Sequence, residues 1–359
     1  MKNISFLTDL LVCPRTKSDL TYIDLGHEAA FLSKEGILYP VIDNIVVMNP
    51  VIPQVKSICA RFLDRNEAYL SRLNSDYNRE LSKKVLLSTP EDEAHKWNYE
   101  EMVYWEESFK DRLQKYRLHK PSWNRELPRW KLLKNLPRNL NRGVTLEIGC
   151  GGFSTPLNFY KKNLKNYIGL DLSFYACSVA QKMFPQGFYI NASAESLPLR
   201  DNSIDVVFAY SVLHHLPGHE ENVRRILPVL KPKGYLIGFD PLLKPRLPRP
   251  NLKGIYNFMK KEKEFSENNN KEPGSPHNDR INWENLLHVI KHKADVLKTY
   301  YGYGPLRTLL IQNLYDKMGI QSKFFTRLVI FLDQLWLCSI GRLHRSIGPA
   351  AIHYALQKH

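Results

Sequence analysis

The chain is poor in cysteine. Its five cysteines, Cys13, Cys59, Cys150, Cys177 and Cys338, are scattered among 359 residues and never spaced C-x-x-C. That pattern excludes a disulfide framework and a zinc site built from cysteines, and it suits a reducing cytoplasm. Long apolar runs are also lacking. No stretch reaches the roughly 18 uncharged residues of a spanning helix, and the greasiest, 324–343, is broken by Arg327 and Asp333. The opening MKNISFLTDLLVCPRTK places an acid inside its short apolar run and offers no small-residue cleavage site, so no signal peptide is expected. Acid is scarce relative to base: 36 Asp+Glu stand against 51 Lys+Arg, a formal charge of +15. From Asp240 onward 19 basic residues face 10 acidic ones, so this third supplies +9 of the excess. Such a balance favours an anionic partner: nucleic acid, a membrane surface or a phosphorylated substrate. No internal repeat is present.

What is there is enough for a core. A hydrophobic content of 43% with 24% charged residues excludes wholesale disorder. The length fits two domains, or one large domain with insertions. Residues 1–50 read as a small β-rich unit, with Asp43-Asn44 turning the chain inside GILYPVIDNIVVM. Residues 51–130 switch to helical spacing and form a connector or cap. Leu73, Tyr77, Leu81 and Val85 share one face of an expected packing helix. Trp97, Tyr99, Tyr104, Trp105, Trp123 and Trp130 cluster in this stretch, as a packed layer or a lid.

Residues 131–359 read as a third unit, whose texture becomes regular from Gly143. VTLEIG, NYIGLDL, GFYIN, IDVVFAY and YLIGFD are apolar runs separated by helix-length segments, the signature of an α/β fold with a mainly parallel sheet. AAIHYALQKH reads as a final strand. The Pro- and Lys-rich passage after Asp240 leads into KKEKEFSENNNKEPGSPHND, polar and low in complexity, and predicts a lid insertion at about 241–285.

The chemistry centres on Glu147, Gly149, Cys150, Gly151 and Gly152, where a strand enters a glycine turn and a helix is expected near Ser154-Thr155. Ser154 breaks the dinucleotide pattern G-x-G-x-x-G, so a pyrophosphate loop is excluded. Glu147 ahead of the glycines, Asp171 closing the next strand, NASAESLPLRDNSIDVVFAYSVLHHLP and RRILPVLKPKGYLIGFDP together resemble the class I S-adenosylmethionine (SAM) methyltransferases, in their ubiquinone-methylase-like branch. The resemblance covers about 130–241 and the last strand. It implies a Rossmann-like sheet, last strand antiparallel, with helices on both faces, and SAM as cofactor with S-adenosylhomocysteine as product. It implies the cofactor's amino-acid end near Glu147, its ribose on Asp171 with Leu172 beside it, and its adenine near Ser193, Ala194 and Glu195. Ser193 stands where the family carries an Asp, and its hydroxyl accepts a hydrogen bond without charge. Ser211, just past IDVVFAY, completes the cofactor-binding set. His215 is the candidate base, since imidazole titrates near neutral pH.

LTDLLVCPRTKSDLTYI followed by FLSKEGILYPVIDNIVVMNP resembles the zinc-ribbon-like domain that accompanies or activates tRNA and translation-factor methyltransferases. Thr16 stands where a second ligand cysteine would follow Cys13, so no metal is expected. A scaffold or recognition role is implied.

Three functions stay open. The first is methyl transfer to a small, lipid-linked or glycan-linked metabolite; the second is methylation of tRNA or rRNA; the third is a non-catalytic partner that has kept the fold. Nothing points to DNA. The apolar set Phe324, Phe325, Leu328, Phe331, Leu332, Leu335, Trp336 and Ile340 predicts a helix buried against the sheet, with peripheral membrane contact as the alternative.

Overall fold

The computed structural model describes residues 4–50, 53–73, 76–87, 103–105, 132–133, 136, 143–151, 164, 166–242, 280–302, 328–329, 331–333, 335–336 and 351–359. Gly152, the helix expected near Ser154, most of the aromatic connector and nearly all of the expected lid lie outside the described residues.

Four strands open the chain: β1 (Leu20–Asp24), β2 (Ala29–Ser33), β3 (Leu38–Ile42) and β4 (Ile45–Val47). They form an antiparallel meander. Asp43 and Asn44 both take positive φ, 50° and 61°, as a tight two-residue hairpin requires. Helices α1 (Pro53–Leu73) and α2 (Arg79–Leu87) follow. The single packing helix expected across Leu73 to Val85 is therefore two helices. Asn78 explains the break: its Oδ1 accepts the Leu81 amide at 2.9 Å and caps α2 afresh.

The next part alternates as expected: β5 (Val144–Ile148), β6 (Asn166–Asp171), α3 (Phe174–Met183), β7 (Phe188–Asn191), β8 (Ile204–Tyr210), α4 (His219–Val229) and β9 (Leu230–Pro241). Helix α5 (Trp283–Ile290) and strands β10 (Ala294–Gly302) and β11 (Ala351–Lys358) complete the described elements. One eleven-stranded mixed sheet holds all the strands, in the order β1-β2-β3-β4-β7-β6-β5-β8-β9-β11-β10. The pairings from β4 through β9 are parallel, and β11 enters antiparallel to β9. Buried on both faces, the parallel strands read as near-continuous apolar runs.

The first strands join the same sheet as the rest. β4 pairs with β7 through Ile45, Val46 and Val47, all fully buried. Each such side chain contributes about 1.5–3 kcal/mol by leaving water. One core cluster runs from Leu7 and Phe31 through Ile148 and Tyr189 to Leu356.

The expected burial of the late apolar helix does not hold at four positions. Leu328, Phe331, Leu332 and Leu335 are exposed, Phe331 at 59%, while Val329 and Asp333 are buried. No helix among the described residues is long and apolar enough to cross a membrane.

Register brings the strand ends level. Ile148 lies beside Leu170 and Ala209, Asp171 beside Asn191, and Tyr210 beside Phe239. The C-terminal ends of five parallel strands thus line one edge. The strand order reverses beside β5, and in open α/β sheets ligands bind at such a point.

Candidate functional site

The turn after β5 is built by backbone geometry. Gly149 and Gly151 take φ of +67° and +42°. The amides of Gly149 and Cys150 both donate to the Leu170 carbonyl, at 2.8 and 3.2 Å. A Cβ on Gly149 would fall 2.4 Å from Val212 Cγ2. Glycine is thus required there twice, by conformation and by the approach of the turn after β8.

Asp171 receives this turn. Its Oδ2 accepts the Gly151 amide at 2.9 Å and its Oδ1 the Ser173 amide at 3.0 Å. Burial pushes its carboxyl up to about 6, against the lowering effect of the Ser173, Gly151 and Leu172 amides. It is still mostly ionised at neutral pH, and each oxygen keeps a lone pair for a hydroxyl donor. Ser173 fixes the chain beyond it by capping α3, its Oγ accepting the Ala176 amide at 2.9 Å. Beside it, the Asn191 amide nitrogen donates to the Leu172 carbonyl at 2.8 Å. Asn191 Oδ1 is buried without a hydrogen-bond partner among the described residues.

Glu147 and Cys150 are buried. Tyr167 donates its hydroxyl to Glu147 Oε2 at 2.5 Å, and burial raises the tyrosine well above its ordinary range. The Cys150 thiol is likewise pushed up by burial, which makes it a poor nucleophile. After β7, Ser193 Oγ accepts the Glu195 amide at 3.2 Å and caps the short 3-10 turn Ala194–Ser196. Ser193 and Glu195 are partly exposed, and Ala194 is buried.

The opening segment braces this loop. Val12 donates its amide to the Pro198 carbonyl, Lys17 Nζ reaches the Leu197 carbonyl at 2.6 Å, and the Arg200 amide donates to the Leu10 carbonyl. Arg200 pairs with Asp19, and Ser196 donates to the Pro14 carbonyl.

At the end of β8, Ser211 holds a left-handed φ of +59°, its amide bonded to the Phe239 carbonyl at 2.7 Å. The turn Leu213–His215 comes next. His215 meets Trp105 edge-on at 5.5 Å and the His214 ring at 4.0 Å between centroids. A carboxylate partner goes to His214: its Nδ1 lies 2.9 Å from Asp240 Oδ1, both side chains fully buried. Tyr354 donates to Asp240 Oδ2 at 3.1 Å. Sequence reading missed Asp240, Tyr354 and Asn191. The signal for Asp240 was an apolar strand, YLIGFD, ending on an acid as YIGLD does at Asp171.

The structure thus brings Gly149, Gly151, Asp171, Leu172, Ser193, Glu195 and Ser211 to one sheet edge, with Glu147, Cys150, Ala194 and His215 buried behind it. An open groove of about 550 Å³ lies elsewhere, lined by His27, Ile42, Arg61 and Arg65 among others, and none of the candidate site residues lines it.

Residues 146–238 match the methyltransferase-domain family. This segment is thus similar to a methyltransferase domain. The cofactor of such a domain is S-adenosylmethionine. Over 111 residues the chain is 33% identical to the malonyl-[acyl-carrier protein] O-methyltransferase of Marinomonas sp., covering 30% of this chain and 41% of that protein. Over 99 residues it is 30% identical to phthiotriol/phenolphthiotriol dimycocerosates methyltransferase 1 of Mycobacterium ulcerans, covering 26% and 36%. The match therefore spans less than half of either relative. Among solved structures, Haemonchus contortus phosphoethanolamine N-methyltransferase 2, in complex with phosphomonomethylethanolamine and S-adenosylhomocysteine, aligns with a TM-score of 0.40 and 17% identity, over 66% of this chain and 53% of that one. The hydrogen-bond acceptors at this edge fit that cofactor: an ionised carboxylate at Asp171 suits paired ribose hydroxyls, and the orphaned Asn191 Oδ1 offers a further acceptor nearby.

Proposed function

We propose that the chain transfers a methyl group from S-adenosylmethionine to a small or lipid-linked metabolite. The observation that carries this reading is the convergence of the Gly149–Gly151 turn, Asp171 and Ser193–Glu195 on the aligned ends of β5, β6 and β7. In this reading Asp171 accepts both ribose hydroxyls, the glycine turn lets the backbone approach the amino-acid end, and Ser193 with Glu195 borders the adenine. Bound there, the cofactor supplies an already activated sulfonium methyl. The protein's task is to align the acceptor with that methyl and keep water out.

The named activities of the two relatives, on malonyl-[acyl-carrier protein] and on phthiotriol dimycocerosates, support a carrier- or lipid-linked acceptor. NASAESLPLRD supports the ubiquinone-methylase-like branch. The first 50 residues act as a metal-free brace of the zinc-ribbon-like kind, supported by their bonds to Leu197, Pro198 and Arg200. The charge of +15 favours RNA as a second reading. Binding to polynucleotide that weakens steeply with salt would select it over a metabolite. The direct test is incubation with methyl-labelled S-adenosylmethionine and candidate acceptors, monitored through S-adenosylhomocysteine release. A folded protein that binds neither form of the cofactor overturns the proposal.

A further inference from the structure

We propose that the helix around Phe331 is a docking surface for an anionic lipid membrane, lying in the plane of the interface with its outward face against the acyl chains. None of the residues that carry this surface belongs to the candidate cofactor site.

Residues 328–329, 331–333 and 335–336 are helical. Leu328, Phe331, Leu332 and Leu335 stand at i, i+3, i+4 and i+7, so they share one helical face, and each is between 41% and 59% exposed. Val329 and Asp333 lie four apart on another face and are buried. The usual arrangement is inverted: an acid points into the protein while four large apolar side chains point out. Burying a carboxylate is unfavourable, and turning the helix over would bury far more apolar surface. The outward row is therefore not surplus apolar surface that the core failed to reach. Single exposed apolar residues are ordinary, whereas a contiguous row of them marks a contact.

Charge selects the occupant. Residues 303–350, between β10 and β11, carry six Lys or Arg against two acids, and one of those acids is the buried Asp333. Arg327 immediately precedes the apolar row, and Lys323 comes four residues before it. An apolar face accompanied by bases is the make-up of an interfacial helix: its side chains sink about 5–10 Å into the boundary between headgroups and acyl chains, and the bases meet lipid phosphates. A second copy of the chain is a poorer occupant, because a charge of +15 on each copy opposes their approach. No helix among the described residues is long and apolar enough to cross a membrane, so the contact is peripheral.

The test is sedimentation of the full chain with vesicles of phosphatidylcholine mixed with phosphatidylglycerol, beside vesicles of phosphatidylcholine alone. The wild type should partition onto the anionic vesicles at least about tenfold more strongly than onto the neutral ones, and less as salt rises. Phe331→Gln combined with Leu335→Gln should lower that partition by about tenfold or more, whereas Phe331→Leu should keep it. Both positions are exposed, so the thermal midpoint should hold. If the double variant fails to fold, Leu332→Gln alone carries the comparison, with an expected drop of about threefold. A wild type that ignores both vesicles, equal partition onto the two, or undiminished partition by the folded variant overturns the proposal. So does a wild-type dimer that the substitutions dissolve while vesicles go unbound, since a second copy then covers the face. Vesicle binding by a wild type that takes no S-adenosylhomocysteine supports the membrane surface and overturns the methyl-transfer reading alone.

Discussion

The Gly151 amide donates to Asp171 Oδ2 across 2.9 Å, latching the glycine turn of β5 to the carboxylate that ends β6. Two elements of the candidate cofactor site are therefore one unit, and whatever changes the charge of Asp171 changes both.

The first expectation concerns pH. Burial raises the Asp171 carboxyl to about 6, so it is ionised at neutral pH and protonated in mild acid. A protonated carboxyl cannot accept from two hydroxyls with full charge, so S-adenosylhomocysteine affinity should fall about tenfold from roughly pH 7 to pH 5. Stability runs the other way. A carboxyl raised above its unfolded value contributes stability that is present at low pH and lost as pH rises through about 6. Calorimetric titrations across this range check the first trend; an affinity flat in pH would contradict it.

Gly149→Ala should be costly. The new methyl would meet Val212 Cγ2 at 2.4 Å, and the φ of +67° is unfavourable for alanine. Together these should lower stability by about 2 kcal/mol or more. Val212→Ala on the same background should recover only the steric part. Chemical denaturation of the single and double variants separates the two.

Gly238→Ala should break the support of Asp240. Gly238 pairs with Tyr354 across β9 and β11, and a Cβ there would lie 2.2 Å from the tyrosine ring and hydroxyl. The ring crosses the glycine to reach Asp240, so displacing it removes a buried hydrogen bond worth about 1–3 kcal/mol. The melting temperature should drop, and the ¹⁵N signals of His214 should shift with it.

Burial governs how much of this was legible in the sequence. β5 to β9 were readable because parallel strands covered on both faces are continuous apolar runs. β10 was not: ADVLKTYYG mixes charge with exposed Val296 and Leu297 at the sheet's edge. The helix break at Asn78 was hidden because the apolar spacing continued through it and only a side-chain cap marked the restart. Among site residues, Asp171 and the glycines were visible as local motifs. The Asp240–Tyr354 contact joins residues 114 apart, and no local pattern announces it. Nor does composition reveal that the opening strands extend the main sheet, which depends on β4 finding β7.

That extension gives a fourth expectation. Deleting residues 1–50 should strip β4 from β7, exposing a parallel strand edge and the apolar partners of Ile45, Val46 and Val47. An exposed apolar edge invites aggregation. The truncated chain should precipitate or melt well below the full chain. An equally stable truncated chain would show that the first strands fold apart from the rest.

The most direct measurement is calorimetric titration of the full chain with S-adenosylhomocysteine, beside Asp171→Ala. The account predicts binding by the wild type and a loss of more than about tenfold in a variant that keeps its fold by circular dichroism. Equal affinity in the two proteins would contradict the assignment of Asp171 to the ribose, and with it the cofactor site at the ends of β5, β6 and β7.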